Sequence, residues 1–266
     1  MAFAFEMNLK STLPEFPIDK YDMLEKLGDG SFADVYLYEQ RLDDVSDELT
    51  ELLSANASEL PDFVAVKTFT QEYYFQIEKD NLDIVSSGGQ DHPNLVKIYG
   101  WCKLPNKIFG IVMQQYDKNL KDFRAEQRLI SKSVDLDMTR NILYQLACAL
   151  KFLFEKNIVH RDLKPENILI RNVDNKLEVA ITDLGISRMI EKTEKTNITY
   201  KGTRLWMAPE VQFKSKYGHP ADVFSFGLIT MYIKAGANPI NRNDSGNLIF
   251  IIISQYSPYF SINLQT

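Results

Sequence analysis

The chain has 266 residues, 45% hydrophobic and 25% charged, which is the composition of an ordinary globular protein. Twelve Gly, ten Pro and two Cys exclude collagen-like, low-complexity and disulfide-scaffold classes. The net charge of −6 is local: seven acids (Asp43, Asp44, Asp47, Glu48, Glu51, Glu59, Asp62) lie between Leu42 and Val66 with no Lys or Arg among them, so the remainder offers no basic field for nucleic acid.

In chain order, residues 1–20 carry Pro14 and Pro17 and read as an N-terminal extension. From Tyr21 the pattern is strand-like on both sides of a glycine turn, Gly28-Asp29-Gly30. The acidic stretch at 42–62 places Leu42, Val45, Leu49, Leu52 and Leu53 at helical spacing and predicts a short amphipathic helix in an inserted loop. F-V-A-V-K-T-F at 63–69 predicts a strand. A helix is expected over 71–85, stopped by Ser86-Ser87-Gly88-Gly89. Strands are expected at 95–98 and 108–113. Beyond Tyr116 the signal turns helical, with Ile142, Leu143, Leu146, Ala147, Leu150 and Leu153 along one face of 139–156, and a further helix at 222–234. Strands first and helices later argue an α+β class with two lobes.

No targeting or spanning segment is legible. Residues 1–7 have no basic start, and L-I-F-I-I-I at 248–253 is far below the ~20 residues a span needs. Cys102 and Cys148 show no metal-ligand spacing and suit a reducing compartment, so a cytoplasmic protein with no membrane and no nucleic-acid partner is expected.

The chemical signal is H-R-D-L-K-P-E-N at 160–167. Its companions are G-D-G-S-F-A-D-V at 28–35, V-A-V-K at 64–67, D-L-G at 183–185, A-P-E at 208–210 and D-V-F-S-F-G at 222–227. Order and content resemble the eukaryotic protein kinases, from about Tyr21 to about Lys234. The resemblance implies a two-lobed kinase fold: a β-rich small lobe over 21–116 with an acidic insertion at 42–62, and a helical larger lobe over 117–266 that looks incomplete after about 236. It implies ATP and Mg²⁺ as cofactors and a protein substrate bearing Ser or Thr; it leaves the oligomeric state open.

The resemblance implies these roles. Gly28 and Gly30 would let the backbone approach phosphates. Lys67 would hold the α/β-phosphates and pair with a helix glutamate, Glu78, with Glu72 as its rival. Asp162 would orient the attacking hydroxyl, and Lys164 would neutralise charge on the transferring group. Asn167 and Asp183 would offer hard oxygens to Mg²⁺. Met113, Gln114 and Tyr116 would line the adenine, with Val35, Ala65 and Leu169 enclosing its ring. His160 reads as structural. Ala33 stands where a third glycine is common, and Leu184 where the family usually has Phe.

Lys164 with Thr203 is similar to the Ser/Thr-specific pattern, and Arg161 suggests a phosphorylated activation segment, with Thr199 as the expected switch. The retained Lys67, Asp162, Asn167 and Asp183 argue against the alternative, a silent nucleotide-binding scaffold. A small-molecule kinase is disfavoured by A-P-E and Thr203. The stretch 247–266 resembles no later kinase helix, and only Arg242 could partner Glu210. A buried, unpartnered Glu210 and an aggregation-prone 248–253 would leave the chain marginally stable and weakly active.

Overall fold

The computed structural model describes residues 13–29, 33–41, 60–86, 91–129, 134–184, 188–189, 205–212, 218–235, 240–242 and 248–250. They fall into two compact units. The first takes residues 1–117 and 180–187, the second 118–179 and 188–266.

The first unit is built on an antiparallel sheet of β1 (Tyr21–Asp29), β2 (Asp34–Gln40), β3 (Phe63–Phe69), β4 (Ile98–Leu104) and β5 (Ile108–Gln114), in the order β1-β2-β3-β5-β4. β-Branched and aromatic residues supply β3 and β5, and the two-residue period divides their faces. Val64, Val66 and Val112 join Tyr38, Cys102, Phe16 and Tyr21 in one buried cluster. The register sets Val35 opposite Lys67, Leu37 opposite Ala65, and Met113 and Ile111 opposite Ala65 and Lys67, so these six share the other face. Gly110 allows close packing, since a Cβ there would stand 2.7 Å from Cys102 Sγ and 2.8 Å from Val66 Cγ1. Burial, with Glu15 adding to it, pushes the Cys102 thiol up to about 12.

Helix α1 (Glu72–Ser86) follows β3 and buries Phe75, Glu78, Lys79, Leu82, Asp83 and Val85. Its first turns are seated by aromatics: Phe75 stacks on Phe109 at 4.9 Å and touches Phe69 and Trp101 at 5.9 and 6.1 Å between centroids. The strand expected at 95–98 is corrected. Leu95 forms only an isolated parallel bridge with Ile181, and β4 starts at Ile98 and runs to Leu104. The turn His92-Pro93-Asn94 explains this. It aims Asn94 and Val96 at the backbone of Ile181, which exchanges hydrogen bonds of 2.9 Å with both.

Within the N-terminal extension expected over residues 1–20, the structure adds contacts from Leu13 onward that the sequence did not indicate. Phe16 N–H donates to Trp101 O at 2.7 Å, Trp101 N–H donates to Pro14 O at 3.0 Å, and Glu15 bridges Trp101 in parallel. This strap runs along the free edge of β4, and Leu13 and Phe16 are buried. Proline suits an edge because it needs no ladder donor. The predicted helix in the acidic stretch lies outside the described residues.

The second unit begins with β6 (Lys118–Asn119) and α2 (Leu120–Leu129). Helix α3 (Leu136–Glu155) is capped by Asp135, whose carboxylate accepts the Met138 N–H at 2.6 Å. It closes on Asn157 in the left-handed region, φ 59°. Its buried face is Thr139, Ile142, Leu146, Ala149 and Leu153. Ala147, expected on that face, is exposed. β8 (Ile168–Val173) turns through Asp174 and Asn175, both at positive φ, into β9 (Lys176–Ile181), completing a sheet in the order β6-β8-β9. Gln145 of α3 clasps β9: its amide donates to Leu177 O at 2.8 Å and its carbonyl accepts the Val179 N–H at 2.9 Å.

β7 (Ile158–Val159) pairs with β10 (Arg188–Met189), and α4 (Pro209–Gln212) precedes α5 (Pro220–Ala235). α5 buries Ala221, Asp222, Ser225, Leu228, Ile229 and Ile233. β11 (Ile240–Arg242) and β12 (Leu248–Phe250) form an antiparallel pair. Glu210 is half-buried rather than buried. That removes the basis for the large penalty expected of it; the side chain of Arg242 lies outside what is described.

Candidate active site

Lys67 is the centre of the first unit's polar chemistry. Mid-strand on β3, its Nζ meets both carboxylate oxygens of Glu78, at 2.7 and 2.6 Å, and Asp183 Oδ1 at 3.0 Å. Glu72, the rival partner, sits exposed at the start of α1. Burial works against the Lys67 ammonium, but Asp183 and Glu78 more than offset it and hold its pKa above the ordinary lysine value. For Glu78, burial dominates and raises the carboxyl to about 7, with Lys67 pulling against it and Asp183 adding to the rise. The arrangement is an ammonium that is fixed, charged and aimed by carboxylates on both sides. Such a group can receive phosphate oxygens without first ordering itself.

The segment carrying Asp183 is positioned by neighbours of the same unit. Ile181 is bonded to Asn94 and Val96, and the Asn81 side-chain amide of α1 donates to Leu184 O at 2.9 Å. Asp183 itself adopts φ 67°, an uncommon conformation for a residue with a side chain. Leu184, in the place of the family's usual Phe, is buried.

The other predicted residues of this unit are placed as follows. Gly28 pairs with Val35 across β1 and β2, and open space surrounds the position of a Cβ there. Gly30 lies outside the described residues. Ala65 and Met113 are buried cross-strand neighbours, Gln114 pairs with Val64, and Tyr116 is half-buried.

In the second unit, the loop at 160–167 is organised around Asp162. Lys164 Nζ contacts Asp162 Oδ2 at 2.6 Å, and Asn167 Nδ2 donates to the same oxygen at 3.1 Å and to the Asp162 carbonyl at 2.8 Å. His160 is fully buried, and its Nδ1 accepts the Asp162 N–H at 3.3 Å, a structural position. Leu169 lies on β8 opposite Asn119.

Two supporting carboxylates were given no role from sequence, although Asp222 stands in the D-V-F-S-F-G motif. Asp222, buried at the start of α5, accepts the backbone N–H groups of His160 at 2.7 Å and Arg161 at 2.9 Å. Its signal was present: it is the sole charge in P-A-D-V-F-S-F-G-L-I-T-M-Y-I. Asp83 and Lys79 of α1 are buried together at 3.1 Å, although an i,i+4 charge pair usually marks a solvent face. Thr199 and Thr203 lie outside the described residues.

Among the described residues, no helix is long and apolar enough to cross a membrane.

The family model for the protein kinase domain matches residues 50–265. Myosin light chain kinase A of Dictyostelium discoideum is 32% identical over 219 residues, covering 82% of this chain and 68% of that protein. Serine/threonine-protein kinase ATG1a of Arabidopsis thaliana is 27% identical over 238 residues, 89% of this chain and 34% of the relative. A calcium/calmodulin-dependent protein kinase of Metarhizium anisopliae is 30% identical over 158 residues, 59% of this chain and 40% of its own length. The chain thus spans about two thirds of the first relative and well under half of the other two. With a matched protein kinase domain over most of its length, and relatives named as kinases that include a serine/threonine-protein kinase, the chain belongs to the eukaryotic protein kinase superfamily, serine/threonine type.

Proposed function

We propose that this chain transfers the γ-phosphoryl group of ATP to Ser or Thr hydroxyls of protein substrates. The observation that carries the reading is the buried Lys67 ammonium clasped by Glu78 and in contact with Asp183. The carboxylates keep this cation charged and fixed inside the protein, and in the protein kinase family a lysine so held receives the phosphates of ATP.

In this reading Lys67 fixes the α/β-phosphates and Glu78 fixes Lys67. In the first unit Val35, Ala65, Met113, Gln114 and Tyr116 are the residues proposed to line the base; Leu169 keeps the role that the family resemblance implies for it. Gly28 and Gly30 give the backbone room near the phosphates. Asp162, steadied by Lys164 and Asn167, orients the acceptor hydroxyl and takes up its proton as the new P–O bond forms and the bond to ADP breaks. Lys164 neutralises charge on the phosphoryl group in flight.

The residues present also fit Mg²⁺. Asn167 spends its amide nitrogen on Asp162, which leaves its carbonyl oxygen as the donor it could offer an ion, and Asp183 has a carboxylate to offer. Both are hard oxygen donors, and Mg²⁺ takes few protein ligands beside phosphates and water. When bound, the ion would supply positive charge that offsets the charge of the phosphates.

A reducing cytoplasmic setting is part of the proposal, supported by the free thiols of Cys102 and Cys148. Protein rather than nucleic acid or membrane as the substrate is supported by the near-neutral charge outside the acidic stretch.

The test is transfer from radiolabelled ATP to generic protein substrates, beside Asp162→Asn, with phosphoamino-acid analysis of the product. Label on Ser and Thr that Asp162→Asn abolishes is the expected result. Equal label from both proteins refutes the mechanism, and label on Tyr refutes the substrate class.

A further inference from the structure

Glu78 can hold Lys67 only if α1 keeps its rotation about its own axis. The first half of the helix is fixed by Phe75 among Phe69, Trp101 and Phe109. The second half is fixed by something less expected. Asp83 is buried, and its two oxygens are engaged differently: Oδ2 with Lys79 at 3.1 Å, one turn back on the same helix, and Oδ1 with the backbone N–H of Leu13 at 3.0 Å, seventy residues away in sequence. Leu13 opens the strap along the edge of β4. The strap is anchored by the bonds of Pro14 and Phe16 with Trp101 and by burial of Phe16 against Tyr21 and Tyr99. Gly100 makes the close approach feasible, because a Cβ there would lie 2.4 Å from the Pro14 carbonyl oxygen.

A buried carboxylate is costly unless its hydrogen bonds are made, so the Leu13 contact is part of what permits Asp83 to sit there. Phe75 and Asp83 bracket Glu78 along the helix. We infer that Asp83 and the Leu13–Phe16 strap form a positioning device for Glu78: the backbone ahead of β1 sets how α1 presents its glutamate to Lys67. Asp83 touches none of the reacting groups; it acts through Glu78. The turnover arm of the test below rests on the phosphoryl-transfer reading; the labelling arm does not.

The experiment uses the full chain with Leu13→Pro, Asp83→Leu and Asp83→Asn, each alone and combined with Glu78→Gln. The first readout is the rate at which an amine-reactive ester modifies Lys67, followed by peptide mass spectrometry. The second is kcat and KM for ATP. Leu13→Pro and Asp83→Leu are expected to speed Lys67 labelling several-fold, toward the Glu78→Gln rate. They should lower kcat/KM for ATP about tenfold, the size of one hydrogen bond to a charged group. Asp83→Asn can keep an acceptor for the Leu13 N–H but deprives buried Lys79 of its carboxylate, so its labelling rate should fall between those of wild type and Asp83→Leu. On the Glu78→Gln background the strap variants should add nothing, since their effect passes through Glu78.

Lys67 labelling at the wild-type rate in both strap variants overturns the inference, as do effects that multiply on the Glu78→Gln background. If Asp83→Leu does not fold, Leu13→Pro, which removes the N–H donor together with a buried leucine side chain, is read beside Leu13→Ala, which removes the side chain and keeps the donor: Lys67 labelling faster in Leu13→Pro than in Leu13→Ala supports the inference, and equal rates overturn it. If wild-type protein transfers no phosphate, the functional reading fails while the labelling rates still decide the strap.

Discussion

The carboxylate of Asp222 accepts the backbone N–H of Arg161 at 2.9 Å, and Arg161 stands in the left-handed region at φ 68°. The next residue is Asp162, so a strained turn held from beneath by α5 delivers the proposed catalytic carboxylate. Strain of this kind persists only where surrounding contacts over-determine it.

Asp222→Ala is therefore expected to act at a distance. It strands two backbone donors, each costing about 1–3 kcal/mol when buried and unsatisfied, and it releases the turn that aims Asp162. Turnover should fall about 100-fold, the scale of a small misplacement of a catalytic group. KM for ATP should change much less, and Asp222→Asn, which keeps one acceptor, should fall between. A thermal melt with steady-state kinetics checks both, and an Asp222→Ala enzyme of wild-type kcat would contradict the assignment.

Lys67→Met looks, from sequence, like a mutation that stops turnover and leaves the fold untouched. The structure changes the second half of that expectation. Glu78 is 5% exposed, and without Lys67 it is a buried carboxylate deprived of its cation. Breaking one side of a buried pair costs about 3–5 kcal/mol, lessened to the extent that Glu78 takes up a proton. The melting temperature should drop measurably. Lys67→Met/Glu78→Leu should recover much of it with turnover still absent. Calorimetry on the single and double variants tests this, and an unchanged melt for the single variant would show the pair to be energetically silent.

How far the sequence reached can be seen in these same residues. Lys67 was legible because V-A-V-K puts a cation mid-strand among apolar neighbours, and the helical period distinguished Glu78 as the residue sharing a face with Leu82. β3 and α5 were legible through strong local pattern. What escaped depended on contacts distant in sequence. Leu13–Phe16 carries no strand signature of its own and is ordered by the edge of β4. Asp83 and Lys79 have the spacing of a solvent-exposed pair, yet both are buried, and Asp83 accepts the N–H of Leu13 seventy residues away. The run at 95–98 is as apolar as a strand, yet the backbone of Asn94 and Val96 is taken by Ile181, and pairing with β5 starts three residues beyond Leu95.

The raised pKa of Glu78 sets stability and activity against each other. Its folded value, about 7, lies above the ordinary 4.5 because burial outweighs the pull of Lys67. The native state thus binds more protons than the unfolded chain between those values. The stability this group contributes is fully present below about 4.5 and is lost as pH rises through about 7. The ionised form is the one that holds Lys67, so kcat/KM for ATP should climb across the same interval, with a midpoint near 7. Glu78→Gln should flatten the kinetic profile around that midpoint. Kinetics and melts from pH 5 to 8.5 on both proteins would show it; a wild-type profile that overlays Glu78→Gln would rule it out.

Gln145 has a role beyond packing. β9 is the outermost strand of its sheet, and a bare outer strand is a template on which another chain can pair. Here the amide of one side chain imitates a passing peptide group, donating to Leu177 and accepting from Val179 as one residue of a neighbouring strand would. The helix supplies this imitation without becoming a strand, so the ladder stops at β9. A single glutamine thus takes up, from within the chain, one donor and one acceptor of β9 that the sheet alone would have left unpaired.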